Sequence, residues 1–276
     1  MTDVANSEAS LGSATRARGG RSASIFAARA LFLAVILAIW QGAVALGLAD
    51  AAFVSTPVGV AQSLWLLFRD GEVLPALGTT VLEIALAFAL SVVLGIASAV
   101  VLDRNDWLNR IVSPFLTAFN SMPRIALGPL FILWFGIGIA SKVVLAFSLG
   151  YFIMLLSTLG GLKNVDRDLL LMSRLFGASE LRLFRDIRFP WALPSIFAGL
   201  KLTLIYCSAG AVIGEMIAAR SGLGVLLQSF SGRFDVAGVL ALILIVALLV
   251  MALTSLMDLV ERRLLEWSKG STDVPG

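Results

Sequence analysis

An all-α membrane protein with six transmembrane helices, and a charged helix pair between spans 4 and 5, is the fold this sequence predicts. Three observations carry that prediction. The 276 residues are 59% hydrophobic and only 14% charged, with a mean hydropathy of +0.95, whereas about a quarter of a soluble chain is charged. The apolar residues fall into repeated runs, the first being the 20 residues Ala30 to Ala49, and about 20 residues at 1.5 Å each cross a bilayer core of ~30 Å. The remaining charges collect at the ends of these runs, and ten of them lie between Lys163 and Arg188.

The elements follow in chain order. Residues 1–29 are rich in Ser, Ala and Gly and basic at Arg16, Arg18 and Arg21, a composition that reads as a disordered tail. Ala30 to Ala49 is the first span; it is longer than the apolar part of a signal peptide and more spans follow it. Between Pro57 and Pro75, Val58 to Phe68 forms a short surface helix. Thr79 to Leu102 is the second span, with Glu83 near one end. Ile111 to Phe135 is the third, interrupted by Pro114, Pro123, Gly128 and Pro129. Such breaks persist in a bilayer only where protein or a water-lined cavity re-satisfies the freed backbone groups, which places this span toward the protein interior. Lys142 to Leu162, Ser195 to Ala218 and Val236 to Val260 complete the six, and 261–276 is a charged tail. The six-span unit is therefore 30–260.

Orientation follows from counting Lys and Arg beside the spans, since basic residues stay on the cytoplasmic side. With the N-terminus inside, fifteen flank inner ends, including Arg104, Arg110, Arg262 and Arg263; Arg69, Lys142, Arg220 and Arg233 flank outer ends, four in all. Both termini and the charged stretch thus face the cytoplasm.

The charged stretch has helical organisation of its own. Ten charges at roughly 2.5 to 3.5 kcal/mol each outweigh a dozen apolar residues returning about half a kcal/mol apiece, so it stays in water. Asn164 or Asp166 caps a first helix, Gly177 supplies a left-handed ending, and Ser179 caps a second helix, Glu180 to Arg188. Pro190 and Pro194 forbid simple continuation. Leu181, Phe184 and Ile187, with Leu183, form an apolar stripe opposite the arginines.

Composition excludes most chemistry. The chain has no histidine, so the commonest general base and metal ligand are missing, and no metal site is expected. Cys207, the single cysteine, reads as a small buried hydrophobe. The net charge of +3 is no nucleic-acid footprint. No Gly-Lys dipeptide occurs, so a phosphate-binding loop is absent. Intramembrane charges remain as candidates because they are costly unless they face a cavity or partner. These are Arg124 beside Pro123, Glu83 and Glu215 near outer span ends, and Lys201, which snorkels to the cytoplasmic surface. Trp40, Trp65, Trp107 and Trp134 read as an interfacial belt or packing.

The pattern Gly177, nine residues, Ile187, one residue, Phe189-Pro190 resembles the cytoplasmic EAA motif of ABC importer permeases. The runs Pro129 to Gly138, Gly214-Glu215-Met216, Gly222-Leu223-Gly224 and Glu261-Arg262-Arg263 resemble the nitrate, taurine and sulfonate branch. Leu171-Met172-Ser173 stand where the motif has Glu-Ala-Ala. The resemblance implies a non-catalytic permease, working as a homodimer with two cytoplasmic ATP-binding subunits and an extracytoplasmic solute-binding protein in a bacterial inner (plasma) membrane. ATP and Mg would be bound by the ATPase, leaving this chain without cofactor. It implies that the loop 163–190 is a coupling-helix pair docking the ATPase through Asp168, Arg174, Gly177, Ala178, Ser179, Leu181, Phe184, Ile187 and Pro190. Arg124, Glu215 and Glu83 are the candidate substrate-pathway residues, for a small solute such as nitrate, sulfonate, taurine or a heterocycle. The residues alone also fit a gradient-driven secondary transporter or channel, which predicts inverted repeats and buried coupling carboxylates.

Overall fold

The computed structural model describes residues 2–264, with side chains from 24 onward. All regular structure among them is helical. In order the helices are α1 (Thr2–Ala45), α2 (Ala51–Val54), α3 (Pro57–Arg69), α4 (Val73–Arg104), α5 (Asp106–Ser121), α6 (Gly128–Phe135), α7 (Ile139–Lys163), α8 (Arg167–Leu175), α9 (Glu180–Arg182), α10 (Phe189–Ile217), α11 (Leu223–Gly232) and α12 (Val236–Leu264). Among the described residues five helices are long and apolar enough to cross a membrane, and α5 with α6, bent by 82° at their break, makes six if the pair is taken as one span. The two halves of that span are joined by a tight helical turn, Arg124–Leu127, entered through Pro123. The break falls where the prolines predict it, because neither Pro123 nor Pro129 has an N–H for a continuous ladder.

The core is α4, α7 and α10. The first two run parallel, matched by Glu83 with Lys142, Ser91 with the Phe147 carbonyl and Ser98 with Tyr151. By contrast, α10 lies antiparallel to α7 in a close register. A Cβ on Gly210 would meet the Ala146 backbone at 2.7 Å, one on Gly199 the Ser157 side chain at 2.6 Å, and one on Gly161 Ser195 at 2.8 Å. Small residues at these spacings let the backbones approach, which is how helices associate in lipid, where no hydrophobic drive separates one helix from another. Cys207 is fully buried in this seam against Ser91 and the Ala146 carbonyl, as a small hydrophobe should be. At one end α3, α11 and α12 close a cluster of Val60, Leu67, Val73, Leu223, Leu227 and Leu242. The surface helix expected between Pro57 and Pro75 is α3, capped by Thr56 with Pro57 in its first turn.

The first span lies in the C-terminal part of one helix, Thr2–Ala45. Two expectations differ, in part or in whole, from what is observed. The third span, expected toward the interior, is so in its second half, where α6 buries Gly128 and Phe131, while α5 buries none of its residues within this chain. Only its Leu108, Val112 and Leu116 lean on the bundle. Pro190 and Pro194 predict that the helix does not simply continue after Arg188. Instead the helix passes through both prolines: a π turn, Leu183–Arg188, whose wider ladder has the Phe189 N–H reaching back to the Phe184 carbonyl, runs into α10 where Pro190 has no N–H to give, and Pro194 lies inside α10. Of the charged tail 261–276, Glu261 to Leu264 extend α12, and the remainder lies outside the described residues.

Candidate functional site

Three places hold the candidate residues. The first is the charged stretch at the end of the bundle that carries Lys163. Asp166 caps α8 by accepting from the Asp168 N–H at 2.8 Å, and Ser179 caps α9 through the Arg182 N–H. Gly177 has φ +79°, the left-handed geometry its position between two helices requires. Arg174 reaches across the bend to Glu180 at 3.0 Å, though both are exposed and such a pair contributes little. Ala178 is half-buried and Asp168 exposed.

The apolar residues of this stretch divide in a way the stripe did not predict. Leu183 is buried, Phe184 and Ile187 are half-buried, and only Leu181 is exposed. Phe184 packs against the end of the bundle, with Arg104 4.8 Å above its ring and Phe189 beside it. The reason is that α9 and the π turn are the start of α10, so packing on α7 fixes which face turns inward; Pro190 is half-buried there too. Outward-facing apolar surface comes instead from α8 and the bend: Leu171, Met172, Leu175 at 81% and Phe176 at 86% exposure, joined by Leu181. These residues were not among the candidates, apart from Leu181. Their signal was present in the apolar pair Leu171-Met172 standing beside charged neighbours.

The second place is the break in the third span. Arg124 donates to the Ser148 carbonyl at 2.6 Å and to Asn120 Oδ1 at 2.9 Å, and its guanidinium lies 4.8 Å over the Phe152 ring. It has no carboxylate partner among the described residues. From it a polar line runs along α5 through Asn120, Thr117 and Ser113, spaced three and four residues apart and all exposed. Exposed polar side chains at this depth need a cavity or a neighbouring protein surface.

The third place is at the opposite end, where the carboxylates are buried. Glu83 and Glu215 are 0% and 1% exposed. Glu83 pairs with Lys142 at 2.8 Å, while Glu215 accepts from Thr80 Oγ1 at 2.7 Å and the Gly224 N–H at 2.7 Å. Neither carboxylate therefore lies on an open surface of this chain. From the sequence Lys142 reads as a charge flanking an outer span end, and nothing in its sequence neighbours distinguishes it from one. Lys201, at the charged end, pairs with Asp258 and Glu261 on α12.

Residues 91–266 match the family described as binding-protein-dependent transport system inner membrane component. Among curated relatives, the chain is 32% identical over 235 residues to the riboflavin transport system permease protein RibX of Chloroflexus aurantiacus, covering 85% of this chain and 88% of the relative. It is 33% identical over 244 residues to the formylaminopyrimidine transport permease protein ThiX of Halalkalibacterium halodurans, covering 87% and 95%. To the putative aliphatic sulfonates transport permease protein SsuC of Bacillus subtilis it is 30% identical over 254 residues, covering 92% of each. Among solved structures, the inward-facing MetNI methionine ABC transporter superposes with a TM-score of 0.61 at 22% identity, over 72% of this chain and 96% of that one.

Proposed function

The chain belongs to the binding-protein-dependent transport system inner membrane components, the non-catalytic multi-span permeases of ABC importers, and from that premise we propose how it works. Two copies enclose a pathway, an extracytoplasmic binding protein delivers a small solute at one end, and two ATP-binding subunits grip the charged stretch at the cytoplasmic end. The observation that carries this reading is the apolar knob of Leu171, Met172, Leu175, Phe176 and Leu181, held out by the bend at Gly177. A solvated loop has no use for five exposed apolar side chains beside its charges. A partner's groove does, because such anchors, desolvated at the centre of an interface, carry most of its binding energy. Where the family motif has Glu-Ala-Ala, Leu171 and Met172 make this docking face more apolar.

The line Ser113, Thr117, Asn120 and Arg124 supports a homodimer, since α5 buries nothing within its own chain. Paired across a two-fold axis, these side chains would line the pathway, with Arg124 meeting a small anion or the acceptor edge of a heterocycle. Sulfonates, taurine, nitrate and pyrimidine-like compounds are the substrate classes in question. The permease sits in the bacterial inner (plasma) membrane with both termini inside.

The test is co-purification of the cognate ATP-binding subunit with the wild-type chain and with Phe176→Ala and Leu175→Ser. The variants should insert normally and retain less than a tenth of the bound ATPase. Unchanged retention sinks the docking reading. Thermal shift of the cognate binding protein across these compounds identifies the solute, and transport of that solute should fall at least tenfold in Arg124→Gln.

A further inference from the structure

We propose that Glu215 is a positioning residue of the transport cycle, through which the helix that carries the docking bend at one end takes α11 with it at the other. The inference rests on the docking reading. From Glu180 to Ile217 the chain is continuous helix for 38 residues, ~57 Å at 1.5 Å per residue. The bend at Gly177 immediately precedes it, and Glu215 stands two residues before its end.

The Glu215 carboxylate spends both oxygens on other elements. Oε2 accepts from the N–H of Gly224 on α11, and Oε1 from Thr80 Oγ1 on α4. Thr80 Oγ1 accepts in turn from the Leu223 N–H at 2.9 Å. The first two N–H groups of α11 are thus held by α10 and α4. Gly222, the residue before that helix, has no side chain with which to cap it. The partial positive charge of the helix start favours a carboxylate here. A Cβ on Gly222 would lie 2.1 Å from Glu215 Oε1, and one on Gly224 2.3 Å from the Val212 carbonyl, so both glycines are needed for the approach. Alongside, Glu83 holds Lys142, whose stem packs at 3.2 Å from the Cβ position of Gly214.

Four helices meet at this buried point. A leucine at 215 would fill comparable volume without the cost of burying a polar group. What the carboxylate adds is a directional hold on the start of α11, so that displacement of α10 reaches α11 and the exposed loop at Ser221.

Disulfide formation between Thr79→Cys and Ser221→Cys tests this. Their side-chain oxygens lie 3.5 Å apart at the exposed rim of the cluster, and the native thiol of Cys207 is fully buried. Cross-linking is timed in the assembled transporter in liposomes, nucleotide-free and trapped with ATP and vanadate. Without substitution at 215, the rate should change at least fivefold on trapping. With Glu215→Gln the nucleotide-free rate should fall at least fivefold and the response to trapping should vanish, while the ATPase stays bound. Thr80→Val, which keeps the carboxylate, should shift both in the same direction. A starting rate indifferent to nucleotide overturns the proposal, as does a Glu215→Gln protein with unaltered rate and response. Failure of the docking reading shows separately, as unchanged ATPase retention in Phe176→Ala and Leu175→Ser.

Discussion

Arg188 Nη1 lies 2.9 Å from Asp103 Oδ2, fastening the π turn after the bend to the last turn of α4, with the Asp103 side chain only 5% exposed. The contact joins residues 85 apart in sequence. It adds a polar fastening between the charged stretch and the bundle beside the packing of Leu183 and Phe184.

Removing one partner leaves the other partly buried and unpaired, a loss of about 1 to 3 kcal/mol for a charged hydrogen bond. Asp103→Asn should therefore loosen the stretch and speed tryptic cleavage after Arg182 and Arg185 several-fold in inverted vesicles. The exchange Asp103→Arg with Arg188→Asp should recover most of the protection. Cleavage at the parent rate in Asp103→Asn would mean that the pair holds nothing.

The Lys142–Glu83 pair is more deeply buried, at 5% and 0% side-chain exposure. Breaking such a pair from one side costs about 3 to 5 kcal/mol, while replacing both partners by apolar residues is often neutral. Lys142→Met alone should lower the thermal midpoint in detergent markedly, and Lys142→Met with Glu83→Leu should restore most of it. An unstable double variant would show that the charges do more than neutralise each other.

Glycines in the α7–α10 seam differ sharply from those outside it. Gly210→Ala places a methyl 2.7 Å from the Ala146 Cα, whereas a Cβ on Gly160 meets nothing within 4 Å. The first should lose 1 to 3 kcal/mol or so by overpacking. The second should gain roughly 0.5 to 1 kcal/mol from helix propensity. Thermal unfolding of the two variants side by side decides it, and a reversed order would refute the register given for the seam.

At Gly177, φ is +79° and the surrounding space is open. Backbone strain alone is therefore the obstacle to a side chain there, roughly 1 to 2 kcal/mol and worst for a β-branched residue. Gly177→Val should insert and purify normally yet lose ATP hydrolysis coupled to transport, with Gly177→Asn falling between it and the parent. Coupled hydrolysis at the parent level in Gly177→Val would show that the angle of the bend is immaterial.

Much of this architecture is readable from residue order. The broken third span announces itself through Pro123 and Pro129, the surface helix α3 through Thr56 and Pro57, and the bend through Gly177 and Ser179. Each depends on the residue's own backbone chemistry within a turn or two. The apolar stripe of Leu181, Phe184 and Ile187 was visible, but its direction was not. Periodicity finds a face without saying what lies opposite, and here Phe184 and Ile187 turn toward the bundle while Phe176 faces out.

The sequence by itself determined that this protein crosses a membrane six times, where the crossing is interrupted and which segment stays in water. Hydropathy and missing N–H groups are properties of short stretches and sum along the chain. Only the tertiary structure decided that Glu83, Lys142, Glu215 and the start of α11 form one buried point, that Arg188 holds Asp103, and that the helix after the bend runs unbroken to the far side. A carboxylate near a span end has the same neighbours in sequence whether it meets headgroups or a lysine 59 residues away. Which of these it meets depends on how helices pack side by side, and no local pattern records that.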